Sequence, residues 1–484
     1  MSEEQEVMSA PNYPSEMVYF LSSLSAFSTN TFKIQNSTGD TAVANNILRF
    51  VLPSNTLLNM KSIALAYCAS CENSDPGAGA RLPANVNDLV ERYELSSGGL
   101  QIASGCNAWN VLCSAKRHLY KDESDPVLAH NQIVRTQSYI DNKPFVGTAN
   151  EAYSSANYNI NCVNNDWEGV IKTFTPSLLS TNLLPELVLT IYLAGNEILT
   201  TSSGVALSGT SGLWGQTTDF TSVGAGGAKY QLSNIHLLVE ACNMGDGVYQ
   251  NLIENTIRKK GHLDCGFTQH LSFTDTTANS VRFNVASQSI SSMMAVHRRD
   301  GYATQSAPIV PVGYKEANIT EDLSGNGAGS ASGQAGFDPG GVFDLNKENY
   351  RSRFFDFPEP PDAVPTTYAQ RYYWNLNQSQ LPQFQANWSQ MYQVSRNSLP
   401  EGDRPMKEPL QTCRAHNSVQ LARLDLPRKA GEEHRTYSGL NSAGVNLQAY
   451  YQMSGVSEQR TINVFVACDS TLLIGEGKNI NVVM

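Results

Sequence analysis

Two stretches of this chain, one in each half, are weakly the same. Leu48–Ala64 (LRFVLPSNTLLNMKSIA) and Val281–His297 (VRFNVASQSISSMMAVH) align without a gap. Arg49/Arg282, Phe50/Phe283, Ser54/Ser287 and Met60/Met293 are identical, and Leu52/Val285, Thr56/Ser289, Leu57/Ile290 and Ile63/Val296 keep their chemical type. The shared offset is 233 residues, Arg49 to Arg282, which is the size of a whole domain and far longer than a solenoid repeat. Two related domains in tandem are expected.

A second echo sharpens the first. Tyr93-Glu-Leu95 with Leu100 and Trp109 resembles Trp374-Asn-Leu376 with Leu381 and Trp388, at an offset of 281 residues, Leu95 to Leu376. The second copy has therefore gained 48 residues (281 − 233) between the two features. Between Arg299 and Arg351 lies the most loop-like stretch of the chain, Glu321–Gly341 (EDLSGNGAGSASGQAGFDPGG), which reads as a loop inserted into a repeated scaffold.

With 484 residues, the chain has room for two β-sandwiches of about 200 to 250 residues each. Domains of that size bury roughly 70% of their unfolded surface and need no disulfide or metal to fold. Only 16% of the residues are charged, and Ser, Thr, Asn and Gly abound, as in short strands joined by polar turns. Apolar residues alternate at Ile63, Leu65 and Tyr67, at Leu187, Leu189, Ile191 and Leu193, and at Ile235, Leu237, Val239 and Ala241. That is the period of a strand with one buried face. Further strands are expected at Leu263–Phe273, Val281–Val285, Ser291–Val296 and Ile462–Val466.

One short helix is predicted at the centre. Asp246 caps it, Val248, Tyr249, Leu252, Ile253 and Ile257 share a face, Arg258–Lys260 complement its C-terminal dipole, and Gly261 ends it. The resulting division is an extended arm over 1–25, a first domain over 26–244, a linking helix over 245–261 and a second domain over 262–484, with 299–351 as the inserted loop region. The Pro-rich Phe354–Pro365 cannot be a central strand, because proline lacks the ladder donor, and reads as an ordered connector.

A net charge of −11 argues against wrapping nucleic acid, which needs a concentrated basic surface. The N-terminus, MSEEQEVMSAPNYPSE, is acidic and polar, unlike a secretory signal, and no run approaches 18 apolar residues. Synthesis in the cytosol is expected, with the nine cysteines as reduced, mostly buried thiols. Cys68-x-x-Cys71 lacks a second ligand pair for zinc and precedes a Pro/Gly loop rather than a helix. None of the eight histidines forms His-x-His, and the nearest pair, His262 and His270, flanks one predicted strand. Gly209–Gly212 does not complete a nucleophile elbow, and the Gly-rich insertion is not followed by Gly-Lys-Ser/Thr. Carboxylate pairs such as Glu432-Glu433 or Asp338 with Asp344 carry no spacing that places them across a sugar. The sequence thus offers no catalytic, cofactor-binding or metal-ligating residues, and no enzyme is expected.

In this setting the chain resembles the double jelly-roll major capsid proteins of icosahedral double-stranded DNA viruses. Tyr372-Tyr-Trp374-Asn-Leu376-Asn-Gln-Ser-Gln-Leu381-Pro382 is similar to the strand, turn and Leu/Ile-Pro element in the middle of their second jelly roll. Tyr437-Ser438-Gly439-Leu440-Asn441-Ser442 resembles their Ser-Gly-hydrophobic-Asn-Thr/Ser turn, and Ile462–Met484 their closing strand pair. Arg49-Phe50-Val51-Leu52-Pro53 followed by Met60–Leu65 is similar to the early strand pair of their first roll, and Tyr230–Leu237 with the capped helix to the crossing between rolls. The resemblance runs from about residue 30 onward, and its flavour is that of virophages and polinton-like viruses.

The resemblance implies an all-β fold of two tandem eight-stranded jelly-roll β-sandwiches with a linking helix and long loop insertions. It also implies a structural role in the virion. Three chains would place six sandwiches around a threefold axis as a pseudo-hexameric homotrimeric capsomer that tiles an icosahedral shell. Its partners would be copies of itself, neighbouring capsomers, and penton and minor capsid proteins, with no specific nucleic-acid contact. Two other readings are a spike or minor virion protein, which would be present in far fewer copies, and a two-sandwich carbohydrate-binding or carbohydrate-active protein, which glycan binding or turnover would reveal.

Overall fold

The computed structural model describes residues 27–73, 79–81, 86–120, 160–198, 200–202, 228–244, 247–275, 280–299, 371–377, 379–398, 419–425, 438–443, 448–454 and 460–484. Within them, the pleat sets the architecture. Along Ile47–Val51 the side chains are exposed, buried, exposed, buried, exposed, so Leu48 and Phe50 turn inward while Ile47, Arg49 and Val51 turn outward. Arg371–Leu376 turns Tyr372, Trp374 and Leu376 inward in the same way. Such faces are buried when two antiparallel sheets pack against each other.

The first half contains β1 (Phe27–Gln35), β2 (Thr41–Val43), β3 (Ile47–Val51), β4 (Leu57–Asn59), β5 (Ala64–Asn73), β6 (Gly79–Arg81), β7 (Val90–Ser97), β8 (Leu100–Ala103), β9 (Ile160–Asn164), β10 (Leu178–Ser180), β11 (Leu187–Leu193), β12 (Thr200–Ser202) and β13 (Ala228–Met244). One sheet has the order β3-β11-β7-β8, and the other runs β1-β13-β5-β9. The second half contains β14 (His262–Asp275), β15 (Ser280–Phe283), β16 (Ile290–Arg299), β17 (Arg371–Leu376), β18 (Ser379–Ala386), β19 (Val419–Arg423), β20 (Ala449–Ser454), β21 (Arg460–Gly475) and β22 (Ile480–Val483). Its sheets are β15-β20-β17-β18 and β14-β21-β16-β19.

The two halves therefore repeat strand for strand. β3, β11, β7 and β8 correspond to β15, β20, β17 and β18, and β1, β13, β5 and β9 to β14, β21, β16 and β19. Eight strands in two four-stranded sheets make a jelly roll, and the chain forms two. The first roll adds short strands to this plan: β2 and β4 on β13, β10 on β4, and a separate β6–β12 ribbon. Among the described residues the second adds only β22, paired with β21. Among the described residues four α-helices punctuate the strands: α1 (Trp109–Tyr120), α2 (Val170–Thr173), α3 (Gly247–Lys260) and α4 (Trp388–Ser398).

Both sequence echoes fall on corresponding elements. Phe50 and Phe283, Leu52 and Val285, and Met60 and Met293 are buried in each case. The first repeat fails at its end. A 3-10 turn at Met60–Ser62 separates β4 from β5, whereas β16 is continuous from Ile290 to Arg299. Residue phase is thereby shifted, so Ile63 faces the first roll's own core while Val296 joins Met294 on the face turned away from the core of the second roll. The second echo places Leu95 in β7 and Leu376 in β17, with Trp109 and Trp388 opening α1 and α4. The offset grows between β16 and β17, across 300–370; apart from Arg299, which ends β16, the inserted region 299–351 lies outside the described residues, as do the arm 1–25, Asp246 and the connector 354–365.

The central helix ends as its sequence predicts. Gly261 takes φ +85° and its N–H donates to the carbonyl of Ile257 at 2.7 Å, with Arg258, Lys259 and Lys260 in the last turn and Ile253 and Ile257 buried. In β21 every residue from Thr461 to Ser470 is buried, because its sheet is covered on both faces. Val464, Val466 and Cys468 join the core of the second roll. Phe465 joins the cluster that also holds the core of the first. A continuous apolar run replaces alternation where both faces are dry.

The turn at Ser438–Ser442 closes the second roll. Ile290 and Leu440 exchange two backbone hydrogen bonds, both 2.9 Å. The Ser442 hydroxyl donates to the Val285 carbonyl at 2.6 Å and accepts from the Ser287 N–H at 3.0 Å. A Cβ at Gly439 would stand 2.4 Å from the Ile290 carbonyl oxygen, so only glycine allows this approach. Gly439→Ala is expected to push the main chains apart and cost about 1–3 kcal/mol. Urea unfolding measures this, and an unchanged midpoint would contradict the packing described.

Candidate functional site: the junction between the rolls

The two rolls meet around Asp166–Pro176, which follows β9. Its anchor is aromatic. Tyr93, Trp109 and Trp167 lie with ring centroids 5.2–5.6 Å apart, and the Glu168 carbonyl accepts from the Tyr93 hydroxyl at 2.7 Å and the Trp109 indole N–H at 3.0 Å. The Trp167 indole N–H donates to the Ile63 carbonyl at 2.8 Å. Buried aromatic polar tips are thus satisfied by main chain. Gly169, at φ +97°, then turns the chain where a Cβ would lie 2.9 Å from the Tyr93 hydroxyl.

From this turn the segment reaches the second roll. Thr175 and Gly266 exchange two backbone hydrogen bonds of 2.8 Å. The Thr268 N–H donates to the Thr173 hydroxyl at 2.8 Å, and Phe174 stacks on Phe267 with centroids 6.2 Å apart. The edge of β14 is in this way occupied by the first roll. Apolar continuity does the rest: Cys265, Phe267, Met294, Leu421, Phe465, Leu472 and Ile474 of the second roll belong to one cluster with the core of the first.

Charges meet at the same place, with Glu168 and Lys116 enclosed and Lys172 half exposed. The Glu168 carboxylate, 6% exposed, lies 2.8 Å from the Lys116 ammonium and 2.6 Å from that of Lys172, and Lys172 is 3.9 Å from Asp166. Lys116 also reaches His270 of β14, Nζ to Nε2 3.1 Å. Because an ammonium only donates, Nε2 is the acceptor and the proton of the neutral imidazole sits on Nδ1. That Nδ1 is buried without a hydrogen-bond partner among the described residues, beside a small cavity lined by Tyr93, Cys106, Trp109, Gly169 and Gln269. Burial, and then the Lys116 charge, hold the imidazole well below its usual pKa, against the opposite pull of Glu168.

This arrangement couples two bodies through main-chain hydrogen bonds, ion pairs and shared apolar packing. Among the described residues no three His, Cys, Asp or Glu side chains gather as a metal site. Cys68 lies 2.7 Å, Sγ to Oδ1, from Asn161 across β5 and β9, while the side chain of Cys71 lies outside the described residues. Burial pushes the thiols of Cys106 and Cys265 up to about 12 and that of Cys468 to about 11, so they stay protonated and unreactive at neutral pH. His262 opens β14 and pairs with Asp264 at 3.0 Å, and His270 lies farther along the same strand. Gly209–Gly212, Asp338, Asp344, Glu432 and Glu433 lie outside the described residues. The Lys116–Glu168–His270 network was not legible in the sequence: its members are 52 and 102 residues apart in the chain and belong to no motif.

The enclosed imidazole sets a pH dependence. Unfolded histidine titrates near ~6.5, whereas His270 takes up its proton only at much lower pH, so below ~6.5 the unfolded state binds more protons and stability falls with pH. Thermal unfolding of the wild type is expected to lose more between about pH 7 and pH 5 than that of His270→Gln, which keeps an acceptor for Lys116. Equal losses in both proteins would contradict the placement of His270.

No protein-family model matches the chain, and no curated protein sequence does. Solved structures do. The crystal structure of PBCV-1 VP54 fitted into a cryo-EM reconstruction of the virophage Sputnik aligns with a TM-score of 0.55 at 12% identity, covering 97% of this chain and 100% of that one. The quasi-atomic model of the PBCV-1 virus capsid gives 0.52 at 11% identity, covering 97% and 100%. The Faustovirus major capsid protein gives 0.52 at 9%, covering 96% and 93%. Strand order and near-complete coverage of both partners agree: the chain has the double jelly-roll fold of these viral capsid proteins.

Proposed function

We propose that the chain is a major capsid protein, a structural component of an icosahedral virion that assembles as a homotrimeric, pseudo-hexameric capsomer. The observation that carries this reading is the pair of rolls with identical strand order, joined through a junction that encloses both apolar and charged groups. Two like bodies held side by side give three chains six similar sandwiches around a threefold axis, and closed symmetry follows. The solved structures similar in fold are capsid proteins along nearly their whole length.

In this reading 26–244 and 262–484 are the two rolls, 245–261 links them, and 299–351 is a loop region that makes the second roll unequal to the first. Loops at the end of a sandwich tolerate such variation. The arm 1–25 faces inward or toward minor capsid and penton proteins, and the chain acts as structure rather than as an enzyme. The net charge of −11 suits a shell that does not grip the genome.

Light scattering on the purified chain is expected to give the mass of three 52.8 kDa subunits; a monomer at micromolar concentration would contradict the proposal. Deleting residues 1–25 is expected to leave the trimer intact and to impair shell assembly. Unimpaired assembly would remove the docking role of the arm.

A further inference from the structure

We infer that the outer edge of β1 is a contact between copies of this chain, occupied by the second roll of a neighbouring copy; the inference rests on the trimeric reading and names the surface that makes it. Within one chain the rolls meet through unlike surfaces. The first contributes Thr173–Thr175, and the second contributes the outer edge of β14, whose Gly266 and Thr268 main chain is taken up by hydrogen bonds of 2.8 Å. The counterpart of β14 in the first roll is β1. Each pairs along its whole length, on one side only, with the long closing strand of its roll, β14 with β21 and β1 with β13.

On its other side β1 differs. Among the described residues no strand or loop bonds to its outer edge, and Ser28, Thr29, Asn30, Thr31, Lys33 and Gln35 are exposed. A nine-residue strand offers about 30 Å of open hydrogen-bonding edge. Open edges of this length are normally blunted by proline, several charges or a covering segment; β1 has no proline and the single charge of Lys33. It is hydroxyl-rich, as is the threonine contact on β14.

A chain whose two like bodies join head to tail leaves one half of the same contact unused at each end. The first roll presents the bare β1 edge, the counterpart of the docked β14 edge. A contact between unlike surfaces closes into a ring when its rotation allows. Repeating the intrachain junction between chains uses both free halves and covers every such edge in a ring of six rolls.

The test uses the full chain with Thr29→Lys and Thr31→Lys together, since edge lysines oppose strand addition. The expected result is a threefold fall in mass relative to a trimeric wild type, with unchanged far-ultraviolet circular dichroism. A variant that remains trimeric overturns the inference and leaves the trimeric reading standing, whereas a monomeric wild type overturns both. If the double variant fails to fold, hydrogen exchange on the wild-type trimer decides. Protection of nearly all amides across 28–34 supports the contact, and protection of only the alternate amides bonded to β13 overturns it.

Discussion

The grip on Glu168 organises the molecule. Its carbonyl ties Tyr93 and Trp109, hence β7 and α1, to one point, and its carboxylate holds Lys116 and Lys172. The next residue, Gly169, turns the chain toward β14. Removing Glu168 would leave the enclosed Lys116 ammonium without its carboxylate, the kind of loss that is strongly destabilising in a buried pair, whereas Lys172 is half exposed and stays solvated. The consequence is a packed contact between the rolls. Because Thr175 and Gly266 exchange backbone hydrogen bonds across the junction and the apolar cluster runs through it, the second roll is packed as part of one body with the first. A flexible pair of sandwiches would not hold the angle that a closed ring requires.

The two rolls differ on the outward faces of matching strands. On the outward face of β3, Ile47 and Val51 are 48% and 38% exposed, while the matching positions of β15 and its continuation are Ser280 and Asn284. Arg49 and Arg282 between them are unchanged. The buried face carries phenylalanine in both rolls, Phe50 and Phe283, each packed in its roll core. Core positions are constrained by volume and apolarity in both copies; outward positions respond to whatever each roll meets.

Much of the architecture was legible because a duplicated β-domain writes its pleat twice. Phe50 with Phe283 and Leu95 with Leu376 identified corresponding strands at known offsets, and the change of offset located the insertion between β16 and β17. The short strands β2, β4 and β10, three residues each, are too brief for any period to reveal. The turn at Met60–Ser62 shifts the phase without disturbing the aligned letters, so Ile63 and Val296 match in sequence and differ in setting. Helices α1 and α4 are missing from the sequence reading although Trp109 and Trp388 mark their starts and both are amphipathic, with Leu112 and Ala115 buried in one and Met391 and Ser395 in the other, so the helical period was a readable signal there. The junction itself was invisible: Lys116, Glu168 and His270 become neighbours only once both rolls are folded and docked.

Imaging of single purified particles tests the central claim most directly. The account predicts a threefold particle with a nearly hexagonal outline and six similar lobes, two from each chain. A two-lobed monomer, or a particle whose lobes vary in relative angle, would contradict it.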